Sequence, residues 1–426
     1  MPGTIVWLKD DLRLEDNAAI SLAMTKGLKA VAFIDETGPG HWQHTPRRAD
    51  FINAALAQMA KTFRANGITC HRLQGEAPAE LLGLAHSLEC TTLIANQQVS
   101  DAAGFMRDKA VKKAFAGDGR QFIETPNDGI QRGSQRKPEP FLDHLPGMVR
   151  SGADLSEAIT DLNRFLDRLP YSHYRRDMWL AGPSRKATSL LSMHFASGTI
   201  SVDRALREIS LRIGSDRPVD LQAQKAYEQF AARLHWRRGF IQMFEQNVAA
   251  FPWGPMREPR PRDDEHLEAW STGKTGIPII DAAMRELNET GWINFRLRQT
   301  VCSFAIDLLD LDFHKVGVEL GRRFNDYEPS IHWCQIARQS GMIKTTGPRI
   351  VNPVKQSREL DENETYIRAW CPELASIPQG FGHDPWRHPN AQRMKPIINP
   401  VIAARDARNR YDGGRHKPQN AEPKLL

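Results

Sequence analysis

Residues 270–299 read WSTGKTGIPIIDAAMRELNETGWINFRLRQ, and they hold a loop, two helices and the stop between them. Pro278 suits a first helical turn, where its missing N–H would be unpaired anyway. Ile279, Ile280, Ala283, Met284 and Leu287 recur at helical spacing and define an apolar face. Asp281, Arg285, Glu286 and Asn288 fall on the other side, which predicts a polar face. Gly291 predicts the helix end, because glycine takes a left-handed cap without steric cost. Arg296 and Arg298 then open a second helix whose apolar face includes Phe304 and Leu308. Periodicity by itself predicts two packed helices and no chemistry.

The chain has 426 residues, enough for two to three domains, and 40% hydrophobic content allows a sizeable core. The formal net charge of +6 permits a polyanionic partner without requiring one. Cys70, Cys90, Cys302, Cys334 and Cys371 form no CxxC pair, so the expectation is no metal and free thiols in a reducing compartment. No apolar run approaches the roughly 18 residues of a membrane span. Lys9, Asp10 and Asp11 arrive too early for a secretory signal. A cytoplasmic monomer is expected. Hydrolytic constellations are missing: there is no G-x-S-x-G, no HExxH and no P-loop.

Residues 4–8, 29–34, 68–73, 91–95 and 121–124 read as short strands, with helical patterns between them at 47–65 and 77–88. Such alternation predicts an α/β domain with a five-stranded, parallel, Rossmann-like sheet over residues 1–130. The first turn lacks GxGxxG, so it is no standard dinucleotide site. Pro, Gly and charge dominate 126–140, and an interdomain linker is assigned to 131–165. Helical periodicity runs through 157–169, 187–211, 221–250, 278–289, 293–310 and 315–325, which predicts an all-α domain over 166–410. From about 403 the chain turns polar and basic, and 411–426 reads as a tail.

The stretch at 270–299 resembles the flavin-binding core of the photolyase/cryptochrome family, whose members carry TG-x-P-x-(V/I)-DA-x-M-R-x-L-x-x-TGW before an arginine-rich helix. VWLKDDLRLEDNAAI near the N-terminus resembles the family's strand followed by (R/K)-x-DLR-x-x-DN, and RIVNPVKQSRELDENETYIRAWCPEL at 349–374 extends the likeness. The resemblance implies that the helical domain binds FAD. It also implies a DNA-repair or light-sensing activity, with UV-damaged DNA as the partner in the first case. An antenna chromophore in the N-terminal domain remains unidentified.

By the same resemblance, Tyr174 opens the flavin pocket, and Thr188, Ser189, Leu190, Leu191 and Ser192 match the T-S-x-L-S that cradles its phosphates at a helix start. Arg237 faces the cofactor, while Trp236 before it lines the substrate cavity. Arg298 and Asp326 match the pair beside the isoalloxazine ring, and Tyr327 and Glu328 complete the D-x-D/E turn. His332 takes the place near flavin N5. Taken singly, each residue has a plainer reading: Thr188 and Ser189 as a helix cap, Trp236 as core, Asp326 as a surface acid, and His332 as a structural histidine.

Several positions depart from the family pattern. Arg233 stands where many dimer photolyases have glutamate, and Arg338 replaces the second tryptophan that sandwiches the lesion. Phe295 and Gln299 replace an asparagine–methionine pair. Ile336 and Phe313 replace two tryptophans of the electron relay, with Trp333, Tyr327, Trp292 and Trp370 as alternatives. Trp236, Phe295, Gln299 and the basic rim of Arg233, Arg237, Arg238 and Arg338 form the expected DNA contacts. Trp236, Arg298 and His332 are the expected catalytic set. Loss of one sandwich tryptophan predicts a preference for single-stranded or distorted DNA, where flipping a base costs less. A cryptochrome-like receptor without repair activity is the rival expectation.

Overall fold

The computed structural model describes residues 3–35, 45–127, 129–130, 132, 157–214, 220–247, 261–340, 350–389 and 394–412. The chain opens with β1 (Gly3–Leu8), α1 (Ala18–Thr25), β2 (Leu28–Asp35), α2 (Pro46–Ala65), β3 (Thr69–Gln74), α3 (Ala77–Ser87), β4 (Cys90–Asn96), α4 (Ala102–Gly117) and β5 (Gln121–Thr125). Helices follow: α5 (Glu157–Arg168), α6 (Tyr174–Asp177), α7 (Ser184–Ala187), α8 (Ser192–Ser197), α9 (Val202–Ile213) and α10 (Leu221–Asn247). After these come α11 (Asp263–Ser271), α12 (Pro278–Thr290), α13 (Phe295–Ser303), α14 (Phe313–Gly321) and α15 (Pro329–Gln339). The last three are α16 (Pro353–Leu360), α17 (Thr365–Trp370) and α18 (Pro400–Asp412).

Two compact units emerge, and neither is continuous in sequence. The first comprises Met1–Tyr171, Ser189–Ala249 and Asp326–Ile331; the second comprises Ser172–Thr188, Ala250–Asn325 and His332–Leu426. Within the first, all five strands are parallel in the order β3-β2-β1-β4-β5. The strand residues alternate between two cores. Ile5, Trp7, Ala30, Ala32 and Leu93 pack on Leu81 and Leu84 of α3 and on Val111 and Phe115 of α4. Val6, Leu8, Val31 and Ile94 pack instead on Ile20 of α1 and on Ile52, Met59 and Phe63 of α2. Period-two strand geometry therefore gives a sheet covered on both faces, as the apolar strand runs predicted.

The DLR-x-x-DN segment earns its spelling here. Asp11 accepts from the Lys9 N–H and from Asn96 Nδ2, both at 2.7 Å. Asn17 caps α1 through the Ile20 N–H at 3.1 Å, and its amide donates to the Asp11 carbonyl. Arg13 ties this loop to the Gly198 carbonyl at 3.1 Å. A Cβ on Gly198 would stand 2.0 Å from the Asp10 carbonyl oxygen, so glycine is required at that close approach.

In the second unit α12 starts at Pro278 and ends on Gly291, whose φ of 71° is left-handed, as its sequence predicts. The predicted polar face is only partly open to solvent: Asn288 is exposed and Arg285 half-buried. Asp281 and Glu286 are buried, because neighbouring segments cover that side. Asp281 accepts from the Thr275 N–H and Oγ1, both at 2.7 Å, and from the Gly276 N–H at 2.9 Å. Glu286 accepts from the Tyr366 hydroxyl of α17 at 2.7 Å and from Arg185 at 3.4 Å. Periodicity locates a helix face but does not say what packs on it.

Other differences from the sequence reading have local causes. The helix expected at 187–211 is three helices, interrupted at Leu190, with φ of 55°, and at Gly198. The one expected at 293–310 is α13 followed by a π-helical turn at Phe304–Leu308. The segment assigned to the linker contains α5 from Glu157, with residues 133–156 outside the described residues. The polar end from 403 is largely α18, which buries Ala404 and Ala407. Residues 413–426 lie outside the described residues. Among the described residues no helix is long and apolar enough to cross a membrane.

Candidate functional site

The predicted site residues are shared between the units. Ser189, Leu190, Leu191, Ser192, Arg233, Trp236, Arg237, Asp326, Tyr327 and Glu328 lie in the first; Tyr174, Thr188, Phe295, Arg298, Gln299, His332 and Arg338 lie in the second.

In the first unit Trp236 and Arg237 are consecutive on α10 but differ in environment. Trp236 is 55% exposed, which removes the core reading for it. The Arg233 guanidinium lies 4.2 Å from the Trp236 ring centroid, one helical turn away, so a cation lies over one face of an indole that is still more than half exposed. Arg237 donates through Nη2 to Glu328 at 2.7 Å and to the Phe195 carbonyl at 3.0 Å. Its Nη1 is buried with no hydrogen-bond partner. Arg237 and Glu328 line a crevice with Lys9, Asp10, Asn96 and Gln98, beyond the carboxyl ends of β1 and β4. Strand order reverses between those two strands, the place where open parallel sheets offer a ligand crevice. Arg238, expected on the basic rim, is instead buried and ion-paired with Asp203 at 2.5 Å. The α10 helix turns it inward while Trp236 stays exposed.

The T-S-x-L-S segment leads into the start of α8 at Ser192, as expected, but its hydroxyls do not cap that helix. Thr188 closes α7 by donating its hydroxyl to the Ser184 carbonyl at 2.9 Å, so it caps no following helix. Ser189 Oγ accepts from the Leu191 N–H at 3.3 Å, and Leu191 itself precedes α8. Leu190 is left-handed and 43% exposed. A leucine held in that conformation is strained by about 1–3 kcal/mol, which marks a turn kept for shape. Tyr327 is buried, and its carbonyl accepts from Arg48 of α2.

In the second unit Tyr174 is buried on α6. Arg298 donates Nε to the Ile293 carbonyl at 2.9 Å, and its guanidinium lies 4.1 Å from the Phe324 ring centroid. His332 sits on α15 with Nε2 2.8 Å from the Gly317 carbonyl of α14. A carbonyl only accepts, so Nε2 carries the proton, and a neutral ring leaves Nδ1 as an acceptor. Donation from Nδ1 therefore requires the doubly protonated ring. The Gly317 bond supplies the structural role that the plainer reading gave this residue.

The relay positions Ile336 and Phe313 are buried. One turn before Ile336, Trp333 is 1% exposed and stacks on His314 with centroids 5.4 Å apart and planes 20° from parallel. Gly317 makes that possible, since a Cβ there would lie 2.5 Å from the indole. Phe295 is 46% exposed, Gln299 is half-buried, and Arg338 is exposed at the end of α15. Sequence reasoning missed Trp179 and gave Arg296 no role. Trp179 meets Phe295 edge-on at 6.4 Å, and the Arg296 guanidinium lies 4.9 Å from its centroid. No local spacing signals that encounter.

Residues 224–412 match the FAD-binding domain of DNA photolyase, and residues 4–130 match the DNA photolyase family. The chain belongs to the DNA photolyase/cryptochrome family. It is 28% identical over 457 aligned positions to a deoxyribodipyrimidine photo-lyase of Vibrio cholerae serotype O1, covering 90% of this chain and 93% of that protein. A bacterial class III photolyase from Agrobacterium tumefaciens has the same fold, with TM-score 0.79, 22% identity and 98% of both chains covered. So does a Synechocystis cryptochrome, with TM-score 0.79, 19% identity, and 96% and 99% coverage. Relatives of both kinds therefore share this architecture.

As a family member the protein carries an FAD-binding domain, and Arg237, Arg298, Asp326, Tyr327, Glu328 and His332 lie inside its matched range. Tyr174 and Thr188–Ser192 fall between the two matched ranges. Within the first unit the residues present suit a phosphate-bearing cofactor: the buried Nη1 of Arg237, which has no hydrogen-bond partner, is a donor that a phosphate oxygen would satisfy.

Proposed function

We propose that this protein is a light-dependent DNA repair enzyme that splits cyclobutane pyrimidine dimers, with single-stranded or distorted DNA preferred over regular duplex. FAD, when bound, supplies the light-driven electron. Tyr174, Thr188, Ser189, Ser192, Arg237, Arg298, Asp326, Glu328 and His332 hold and orient it. Glu328 keeps the Arg237 fork fixed, and the Gly317 carbonyl fixes the His332 tautomer. Trp236 stacks on the flipped-out lesion, with Arg233 beside it for phosphate. Phe295, Gln299 and Arg338 complete the DNA contacts. The observation that carries this reading is the exposed Trp236 face, since an aromatic kept in solvent is available for stacking. Stacking on such a ring is worth about 1–3 kcal/mol per base.

A cryptochrome-like receptor without repair activity is the second reading. Arg233 and Arg338 favour it, standing where dimer photolyases carry glutamate and tryptophan. Illumination of the reduced, flavin-loaded protein with a dimer-containing oligonucleotide, scored by chromatography, separates the two. Restored pyrimidines support repair. Unchanged dimer refutes it and leaves the receptor, and a purified protein without flavin refutes both. Comparing single- and double-stranded oligonucleotides tests the strand preference, which equal rates would refute. A monomeric, cytoplasmic protein is the accompanying proposal, checked by sedimentation and by fractionation.

A further inference from the structure

Phe295 is the first residue of α13, and 46% of its surface is exposed. A phenylalanine left this open gains little for stability. Its surroundings are built rather than incidental. Asn294 caps α13 through the Leu297 N–H at 2.8 Å, while its side-chain amide donates to the Leu180 carbonyl at 2.8 Å. That second bond holds the turn bearing Trp179 against the start of α13. The Trp179 ring meets Phe295 edge-on, with centroids 6.4 Å apart and planes at 71°, and Arg296 lies over the indole at 4.9 Å. Arg175 and Arg176 are exposed on α6 just before this turn, and Arg176 is paired with Asp177. The patch thus combines two aromatic rings with a net positive rim of Arg175, Arg176 and Arg296 against Asp177.

We propose that Trp179, Phe295 and Arg296 form a stacking platform for an unpaired nucleobase of single-stranded DNA, with the rim arginines on its phosphates. This rests on the DNA-repair reading, and it names a contact for single strands. A base-paired nucleotide keeps its faces stacked on its neighbours and cannot use an aromatic platform; an unpaired one can. Edge-to-face contact keeps Phe295 fixed while its own face stays open.

The test is dark binding of an undamaged, labelled oligothymidylate and of a duplex of equal length, read by fluorescence anisotropy on the flavin-loaded protein. Trp179→Ala and Phe295→Ala should each weaken single-strand binding by about tenfold, within the range stacking contributes per base. Duplex affinity should stay unchanged. Phe295→Leu keeps the bulk without the aromatic face, so it should lose affinity as alanine does; it also guards against misfolding, as does an unaltered flavin absorbance spectrum. Arg296→Gln should reduce the slope of log affinity against log salt by roughly 0.7, the value for one phosphate on a single strand. Wild-type single-strand affinity retained in all three aromatic variants overturns the platform, as does an equal loss on duplex. A wild-type protein that repairs dimers while its variants bind normally overturns the platform alone. A protein that binds DNA in this way but leaves dimers intact under light overturns the repair reading alone.

Discussion

Replacing Asp281 with alanine tests how the diagnostic stretch is held together. The carboxylate accepts three hydrogen bonds, from the Thr275 N–H, the Thr275 hydroxyl and the Gly276 N–H. Thr275 is 0% exposed and Asp281 is 3% exposed, so water cannot replace the two Thr275 bonds without opening the loop. A buried donor left unpaired costs about 1–3 kcal/mol, and the two fully buried donors of Thr275 set a lower bound of about 2 kcal/mol for Asp281→Ala at pH 7.5. Burial also pushes the Asp281 carboxyl up to about 6 against the ordinary 3.8, with the hydrogen bonds from Thr275 opposing it. A raised carboxyl binds more protons folded than unfolded. Its stabilising contribution is therefore full below the unfolded value and is lost as pH rises through about 6. Between pH 7.5 and pH 5 the wild type gains about 1.4 kcal/mol that the alanine variant cannot gain. The variant should be less stable by at least about 2 kcal/mol at pH 7.5 and about 3.4 kcal/mol at pH 5. Urea unfolding followed by far-ultraviolet circular dichroism at both pH values measures this. A difference below about 1 kcal/mol at pH 7.5, or one that shrinks on acidification, would refute the reasoning.

Gly317→Ala should destabilise by up to about 2 kcal/mol, because overpacking against Trp333 at 2.5 Å outweighs the helix preference of alanine; a raised melting temperature would count against this packing. Trp236→Ala should lower affinity for a dimer-containing oligonucleotide by about five- to a hundredfold with the flavin spectrum unchanged, the span that stacking on one ring supplies. Equal affinity in an anisotropy titration removes Trp236 from the substrate site. Trp333→Phe should suppress most of the light-driven reduction of oxidised flavin by dithiothreitol, since Ile336 and Phe313 carry no easily oxidised ring. An unchanged photoreduction rate excludes the stacked Trp333–His314 pair as the route.

Much of the molecule was legible in one dimension, for reasons that are local. Apolar strand runs separated by helical patterns gave the parallel sheet, because strand and helix periods differ in sequence itself. Pro278, Gly291 and the residues between them placed α12 within one residue at its end, because caps and steric limits act on neighbours. The family motifs marked Arg237, Arg298, Asp326 and Glu328, yet they are silent on which side chains face water.

Tertiary structure decided those matters. Asp281 and Glu286 stand on the side opposite the apolar face of α12, and both are buried because other segments of the chain close over them. Arg238 looked like part of a basic rim, but α10 turns it toward Asp203. Trp236 read by itself as core and lies in solvent. Trp179 meets Phe295 only because Asn294 binds the Leu180 carbonyl, a long-range hydrogen bond that no local pattern encodes. Sequence by itself determined the elements, their caps and the family, since these depend on neighbours along the chain. Burial, pairing and the aromatic platform depend on neighbours in space, and only the folded chain supplies those.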